Sequence, residues 1–279
     1  RSIWRWIGPL ASLAIFGASL AVLWTLLGEI NLDEVTGALS GASRQQLLLA
    51  AGFAALSYLF LTGYDALALR GMRLHPPVRT IALGSFASYA VSFTLGFPLA
   101  TAATVRYWVY SPKGLRGGEI IQLTLVAGVT FWLGMGVVLG LMLLWDAEAL
   151  SQYARLSPLL LRAIGAGVLT VVLAYLLWVS SGERALMVSG WRLRLPGFAI
   201  TFGQILLGVG DVCAGAAVLY VLLPGGHGVP YEAFLAVYVF GALVGIASHA
   251  PGGLGVFEAT ILVAFAALPR EPVLGSLLL

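Results

Sequence analysis

Four ionisable side chains of this chain lie inside apolar stretches, where a charged group is costly to bury. Asp65 and Asp211 each interrupt a long apolar run, Arg106 lies in a third run, and Glu258 follows a Pro-Gly-Gly break by about one turn. A charge inside a bilayer costs at least ~2.5 kcal/mol, so such a group pairs with another, takes up a proton or faces water. These four residues are therefore the first candidates for holding a charged cargo.

The types of these side chains suit charged ligands. A guanidinium can grip a phosphate through two parallel hydrogen bonds, which suits Arg106, and the carboxylates of Asp211 and Glu258 suit a ligand cation. Structural alternatives exist for each group. Arg106 can reach the membrane surface or form an ion pair with Glu258, and Asp65 can reach Arg70, about one turn away.

The break before Glu258 predicts a hairpin that enters the membrane and turns back. Pro251 removes a backbone donor, and Gly252 and Gly253 permit unusual dihedral angles, so one helix should end near Ala250 and the next begin near residue 254. Irregular backbone persists at membrane depth only inside protein or beside a water-filled cavity. The N-terminus of the second half-helix would offer its backbone N–H groups to an anion. On the alternative interpretation, the break only lets two helices turn and pack.

An earlier interruption, at residues 96–98, divides the apolar region 81–110. Arg106 follows this interruption much as Glu258 follows the Pro-Gly-Gly break. Each interrupted region is preceded by a span with an internal aspartate and followed by another apolar span. The two units start from opposite faces of the membrane. This order predicts an inverted repeat, a plan that recurs among secondary transporters.

Composition excludes a soluble protein and predicts an all-α polytopic membrane protein, an inverted-repeat helical bundle with two re-entrant helical hairpins. The chain has 279 residues, of which 60% are hydrophobic and 10% charged, whereas a soluble domain has about 25% charged residues. The predicted continuous spans are residues 7–27, 47–69, 120–145, 158–179 and 198–223. Short apolar runs at 233–247 and 259–267 flank the Pro-Gly-Gly break, and another run begins at 273.

The distribution of charge favours the re-entrant interpretation. If neither interrupted region crosses the membrane, one face collects ten basic residues and the other four; if each crosses once, the split is seven against seven. The ten are Arg1, Arg5, Arg70, Arg73, Arg79, Lys113, Arg116, Arg184, Arg192 and Arg194, against Arg44, Arg155, Arg162 and Arg270. Loops with excess Lys and Arg face the cytoplasm. The N-terminus is therefore expected in the cytoplasm.

The motifs of common enzyme and metal sites are absent from the sequence. It has no Walker motif, no GxSxG and no zinc-ligand spacing, and the histidines His75, His227 and His249 are far from one another and from the single Cys213. We therefore expect no cofactor, no metal and no catalytic residue in this segment.

The second break also resembles a known family signature. Residues 250–258, Ala-Pro-Gly-Gly-Leu-Gly-Val-Phe-Glu, are similar to the signature of the lysylphosphatidylglycerol synthase transmembrane family, to which the bacterial multiple peptide resistance factor (MprF) belongs. Residues 63–65, the stretch from Ser92 to Arg106 and the hydropathy of the whole chain extend the resemblance. The first hairpin departs from the family's glycine-rich form, because Leu-Ala-Thr follows its proline here.

The resemblance implies a lipid flippase domain over residues 1–279. Members of the family make aminoacylated phosphatidylglycerol with a cytosolic C-terminal synthase domain that uses charged tRNA, and their membrane domain moves this lipid to the outer leaflet. The added positive charge repels cationic antimicrobial peptides. The resemblance thus implies a bacterial inner-membrane location, and a longer protein with further membrane helices and phosphatidylglycerol lysyltransferase activity.

Partners and site residues follow from the same resemblance. Expected partners are the phospholipid, the synthase domain and a second copy of the chain, with no nucleic-acid contact by this segment. The substrate-binding residues it implies, together with those of the second break, are Asp65, Arg106, Glu183, Asp211, Gly252, Gly253 and Glu258. Two other functions stay open: an ion-coupled transporter of a small solute, and a membrane anchor that delivers lipid to the transferase.

Overall fold

The computed structural model describes residue 37 and residues 41–95, 98–154, 156–182, 185–188, 191–248 and 250–279. The predicted first span at 7–27 lies outside these residues. The α-helices, in chain order, are α1 (Arg44–Gly71), α2 (Val78–Leu95), α3 (Pro98–Tyr110), α4 (Gly117–Trp145), α5 (Ala147–Ala154), α6 (Pro158–Ser180), α7 (Phe198–Leu222), α8 (Tyr231–Ala247), α9 (Val256–Ala264) and α10 (Arg270–Leu278). Single 3₁₀ turns occupy Ser111–Lys113 and Pro251–Gly253.

Four helices of the described part are long and apolar enough to cross a membrane, namely α1, α4, α6 and α7. They have 23 to 29 residues, which corresponds to roughly 35–43 Å at 1.5 Å per residue, and a bilayer core is about 30 Å thick. The prediction of an all-α polytopic membrane protein is therefore confirmed, and the observed helix ends lie within about three residues of the predicted spans.

Two short elements were not predicted. The strands β1 (Ala185–Val188) and β2 (Trp191–Arg194) form an antiparallel hairpin in what the sequence analysis treated as a charged loop. The alternation Trp-Arg-Leu-Arg in β2 is the period-two pattern of a strand. Helix α5 follows α4 directly and buries Ala147 and Leu150 on one side, so its apolar spacing is that of an amphipathic helix.

Helices α1 and α7 run antiparallel and are in contact along their whole length. At one end, the Gln46 side-chain amide donates to the carbonyl of Leu223 at 3.3 Å. At the other end, a Cβ at Gly71 would lie 3.1 Å from the side chain of Ile200. The antiparallel direction is what an inverted repeat requires, because its two leading spans enter from opposite faces.

Glycines let α4 approach both of its neighbouring spans. A Cβ built on Gly134 would lie 2.7 Å from the backbone of Gly208 in α7, and one on Gly140 would lie 3.2 Å from the carbonyl of Gly165 in α6. Lipid removes the hydrophobic driving force between helices, so close backbone packing through small residues takes its place. The helix α4 therefore joins α6 to the α1–α7 pair.

Each interrupted region forms a hairpin. Helices α2 and α3 pack against each other, and Thr101 donates to Ser92 across them at 3.1 Å. Helix α8 is followed by the 3₁₀ turn and by α9, which packs back on α8. The second arms have 13 and 9 residues, roughly 20 and 14 Å, which is too short to cross the membrane.

The tip of the second hairpin meets the first hairpin near the end of α2. Gly252 has φ 63°, and a Cβ at this position would lie 2.9 Å from the carbonyl oxygen of Phe93, near the end of α2. Gly253, with φ 70°, lies against Gly245 of α8. Only glycine suits both the left-handed backbone and the close approach. The Pro-Gly-Gly break is therefore a contact surface between the hairpins as well as a turn.

Candidate functional site

The most deeply buried charged groups form an ion pair between the first hairpin and the first described span. Arg106 of α3 donates to Asp65 of α1 through Nη2 at 2.8 Å and through Nε at 3.1 Å. The two side chains are 1% and 0% exposed. The structural alternatives are therefore wrong within the described residues: Arg106 does not reach the surface, and its partner is Asp65 and not Glu258.

Further hydrogen-bonding groups surround this pair. The third guanidinium nitrogen of Arg106, Nη1, lies 3.4 Å from the Thr124 hydroxyl, and the Tyr110 hydroxyl lies 3.4 Å from Asp65 Oδ2. The ring of Tyr89 lies under the guanidinium, 5.1 Å from its central carbon, which adds a cation–π contact. Desolvated ion pairs persist only with such additional partners, because the cost of removing water from both charges is large.

Asp211 forms a second buried acidic site, with a different set of partners. Its carboxylate accepts from the Ser57 hydroxyl at 2.5 Å and from the Tyr64 hydroxyl at 3.2 Å, and the residue is 6% exposed. Ser57 is at the midpoint of α1, so Asp211 lies at mid-height of the bundle. Along α1, Ser57 and Asp65 are eight residues apart, which is a rise of roughly 12 Å. The Asp211 site is therefore about this far from the ion pair along the helix.

Two tyrosines connect the acidic site with the ion pair. The ring of Tyr64, whose hydroxyl binds Asp211, lies edge-on to the ring of Tyr89 with centroids 6.3 Å apart. Tyr89 in turn lies against Arg106. We call these five residues, Asp65, Tyr64, Tyr89, Arg106 and Asp211, the buried network. The sequence analysis singled out its three charged members but gave its two tyrosines no role.

A cavity of about 1040 Å³ lies at the end of the bundle next to the ion pair. It lies between the C-terminal ends of α1 and α6 and the N-terminal ends of α4 and α7, and its polar lining includes Arg73, Glu119 and Gln122. Ala68, which also lines it, is one turn from Asp65, a rise of roughly 4.5 Å. The cavity therefore opens on the predicted cytoplasmic face and extends to within about one helical turn of the ion pair.

A carboxylate of the chain itself caps the helix that follows the second hairpin tip. Glu258 accepts a hydrogen bond from the backbone N–H of Gly255 at 2.6 Å, so the carboxylate of the chain itself occupies the N-terminus of α9. Gly252 and Gly253 are in contact with the other hairpin and with α8. Glu258 thus takes up one N–H group at this N-terminus, and binding of a phosphate there stays a prediction.

The predicted site residue Glu183 lies outside the described residues, as does His249. Ser57, Tyr110 and Thr124 were missed by the sequence analysis. The signal available for them was a hydroxyl on an otherwise apolar helix, because buried polar groups in lipid must find partners.

The fold and the buried network define a polytopic helical membrane protein that holds ionisable groups at membrane depth. No family model matches the chain. The chain is 31% identical over 285 residues to the uncharacterized protein slr0712 of Synechocystis, an alignment covering 99% of this chain and 87% of that protein. It therefore belongs to the same family of membrane proteins as slr0712. The inner membrane protein YbhN of Escherichia coli is 27% identical over 264 residues, covering 94% of this chain and 82% of YbhN.

More distant similarity leads to a named enzyme. The phosphatidylglycerol lysyltransferase of Staphylococcus aureus is 24% identical over 273 residues, which is 95% of this chain and 31% of the enzyme. The chain thus spans about a third of the length of that relative. Together with the four apolar helices, the relation to YbhN supports a multi-pass inner membrane protein.

Proposed function

We propose that this protein moves aminoacylated phosphatidylglycerol, and lysylphosphatidylglycerol in particular, from the inner to the outer leaflet of the bacterial cytoplasmic membrane. The observation that carries the proposal is the cavity of about 1040 Å³ that approaches within about one turn of the Arg106–Asp65 pair. The similarity of nearly the whole chain to part of a phosphatidylglycerol lysyltransferase supports the choice of lipid.

The charges of the network match those of the headgroup. Lysylphosphatidylglycerol carries one phosphate and two ammonium groups. A phosphate accepts the same two-pronged hydrogen bonds that Arg106 now makes with Asp65, so it can take the place of the carboxylate. An ammonium group can then bind Asp65, and deeper entry brings it to Asp211. On this proposal, the Asp65 carboxylate occupies the place on Arg106 that the phosphate of the lipid takes during transport.

The acyl chains need not enter the protein. Two large apolar side chains, Trp178 and Phe198, line the cavity and are 39% and 48% exposed, which supports an opening toward lipid on this side. A headgroup can therefore occupy the cavity while its acyl chains stay in the bilayer. A path for a small soluble molecule has no need of such an opening.

The remaining parts of the proposal rest on the resemblance. The N-terminus and the cavity face the cytoplasm, and residues 1–279 form one lipid-translocating domain that, in a longer protein, receives lipid from a synthase domain. Glu258, Gly252 and Gly253 contribute to the path after the hairpins separate at this tip, and Glu183 contributes to it as the resemblance implies. Outward movement of the lipid would reduce the binding of cationic peptides to the outer leaflet.

The test is translocation by the purified protein in liposomes that contain lysylphosphatidylglycerol. An amine-reactive reagent that cannot cross the membrane reports the lipid that reaches the labelled leaflet. We expect wild-type protein to raise the labelling rate and Arg106→Ala and Asp211→Ala to reduce it at least tenfold. Arg162→Ala is the matched control, because Arg162 forms an exposed ion pair with Glu148 far from the cavity.

Each outcome separates the candidate functions. Labelling at the protein-free rate in folded wild-type protein contradicts a flippase. Uptake of free lysine without lipid movement would instead indicate a solute transporter, and binding of the lipid without movement would indicate an anchor that presents lipid to the transferase.

A further inference from the structure

The two buried aspartates of the network differ in how their charge is balanced. Asp65 is held by the Arg106 guanidinium, whereas Asp211 accepts hydrogen bonds only from the hydroxyls of Ser57 and Tyr64 among the described residues. A carboxylate at mid-height of a membrane bundle requires a compensating positive charge, because burial of an unpaired charge is costly. Neutral hydroxyls do not provide that charge.

The groups around Asp211 are all of one kind. Within the described part of the chain, the titratable side chains that interact with it are Tyr58 and Tyr64 of α1, Tyr89 of α2 and Tyr238 of α8. None of these interacting groups comes from α4, α6 or α10, which also pack on α7. Tyrosine hydroxyls are neutral near pH 7. Because these neighbours are neutral, the charge of the Asp211 carboxylate is left for a small cation to balance.

Two cations can satisfy this site, a proton and an ammonium group. We propose that Asp211 carries a proton when no cargo is bound and releases it when the ammonium group of the transported lipid binds, so that one proton is exchanged for each lipid. The carboxylic O–H bond breaks, the proton leaves to water, and the carboxylate accepts hydrogen bonds from the ammonium. One positive charge replaces another, and the site is never left with an unpaired charge. This inference rests on the proposed function.

The buried network lies between Asp211 and the cavity. The Tyr64 hydroxyl donates to Asp211, and Tyr89 lies between Tyr64 and Arg106. The Tyr89 side chain is itself buried between Tyr64 and the Arg106 guanidinium. Asp65, at the far end, is one turn from the cavity.

Proton binding is tested without any transport, by infrared difference spectroscopy of the purified protein. The carbonyl stretch of a protonated carboxyl group should appear as pH is lowered and should be absent from Asp211→Asn, a replacement of equal size that keeps a hydrogen-bond acceptor for Ser57 and Tyr64. Glu232→Gln is the matched control, because this acid is exposed at the start of α8, and its loss should leave the band unchanged. Addition of lysylphosphatidylglycerol, but not of phosphatidylglycerol, should abolish the band in wild-type protein.

Exchange is tested in liposomes with the membrane potential held at zero. One proton per lipid predicts that a pH difference of one unit, acidic on the side that receives the lipid, shifts its steady-state distribution about tenfold toward that side. Asp211→Asn should show no such shift.

The outcomes distinguish this inference from the proposed function. Absence of a band that depends on Asp211 overturns proton binding, whether or not lipid moves. Movement of lipid that is independent of the pH difference overturns the exchange and leaves the flippase intact. If wild-type protein moves no lipid at any pH, the proposed function and the exchange fail together, and the spectrum alone then decides whether Asp211 binds a proton.

Discussion

Removal of one partner of the Arg106–Asp65 pair should destabilise the protein far more than removal of both. Both side chains are almost fully buried and share two hydrogen bonds of 2.8 and 3.1 Å. A single replacement, Asp65→Leu or Arg106→Met, leaves the other charge unpaired, which costs about 3–5 kcal/mol. Replacement of both by apolar residues of similar size should be close to neutral.

The measurement is the midpoint of thermal unfolding in detergent for four proteins: the wild type, the two single variants and the double variant. At about 2–4 °C per kcal/mol for a chain of this size, each single variant should lose roughly 6–20 °C, and the double variant should recover most of it. The same four proteins should be compared in the translocation assay. A stable but inactive double variant would show that the pair takes part in transport in addition to stabilising the fold.

Two results would refute this reasoning. Single variants that lose less than about 1 kcal/mol would mean that the pair is solvated and that its charges are screened as on a surface. A double variant that loses as much as the sum of the two single variants would mean that each residue acts independently, contrary to the shared hydrogen bonds.

Three further predictions follow from the backbone and the loops. Gly252→Ala should destabilise more than Gly226→Ala, because both positions have φ near 70° but only the first would place its Cβ against an opposing carbonyl; equal midpoints would contradict the contact between the hairpin tips. Gly134→Leu should lower the thermal midpoint or prevent folding, whereas Gly167→Leu, with no atom within 4 Å of its Cβ, should not; similar losses would exclude close packing of α4 on α7. Burial lowers the pKa of His227, whose Nδ1 accepts a backbone N–H, so its stabilising contribution is present above pH about 6.5 and is lost as pH falls; an NMR titration giving a pKa above 6.5 would contradict this.

The sequence was sufficient to predict the helices but not their partners. Hydropathy and the two breaks placed the spans and hairpins within a few residues, because helix length in a bilayer follows directly from apolar length. The charge count isolated Asp65, Arg106 and Asp211 as buried groups. The charge count did not show which acid forms an ion pair with Arg106. Glu258 was one possible partner, and the choice of partner depends on how the hairpins pack.

Three features were missed in the sequence, and only the first of them arises from tertiary packing. Tyr64 and Tyr89 connect the two acidic sites only when α1 and α2 pack together. The cap that Glu258 forms on Gly255 depends on a left-handed backbone that sequence alone does not fix. The β-hairpin was hidden by its charged residues, although β2 carried the alternating pattern of a strand.

The contact between the hairpin tips has a consequence for how this protein is made. Gly252 is 159 residues later in the chain than Phe93, and synthesis at about 5–20 residues per second separates their appearance by roughly 8–30 s. During that interval the first hairpin is in the membrane without the second hairpin that later packs against it. Arg106 follows Asp65 by only 41 residues, so this pair can form early and hold the waiting hairpin against α1 until the rest of the chain arrives.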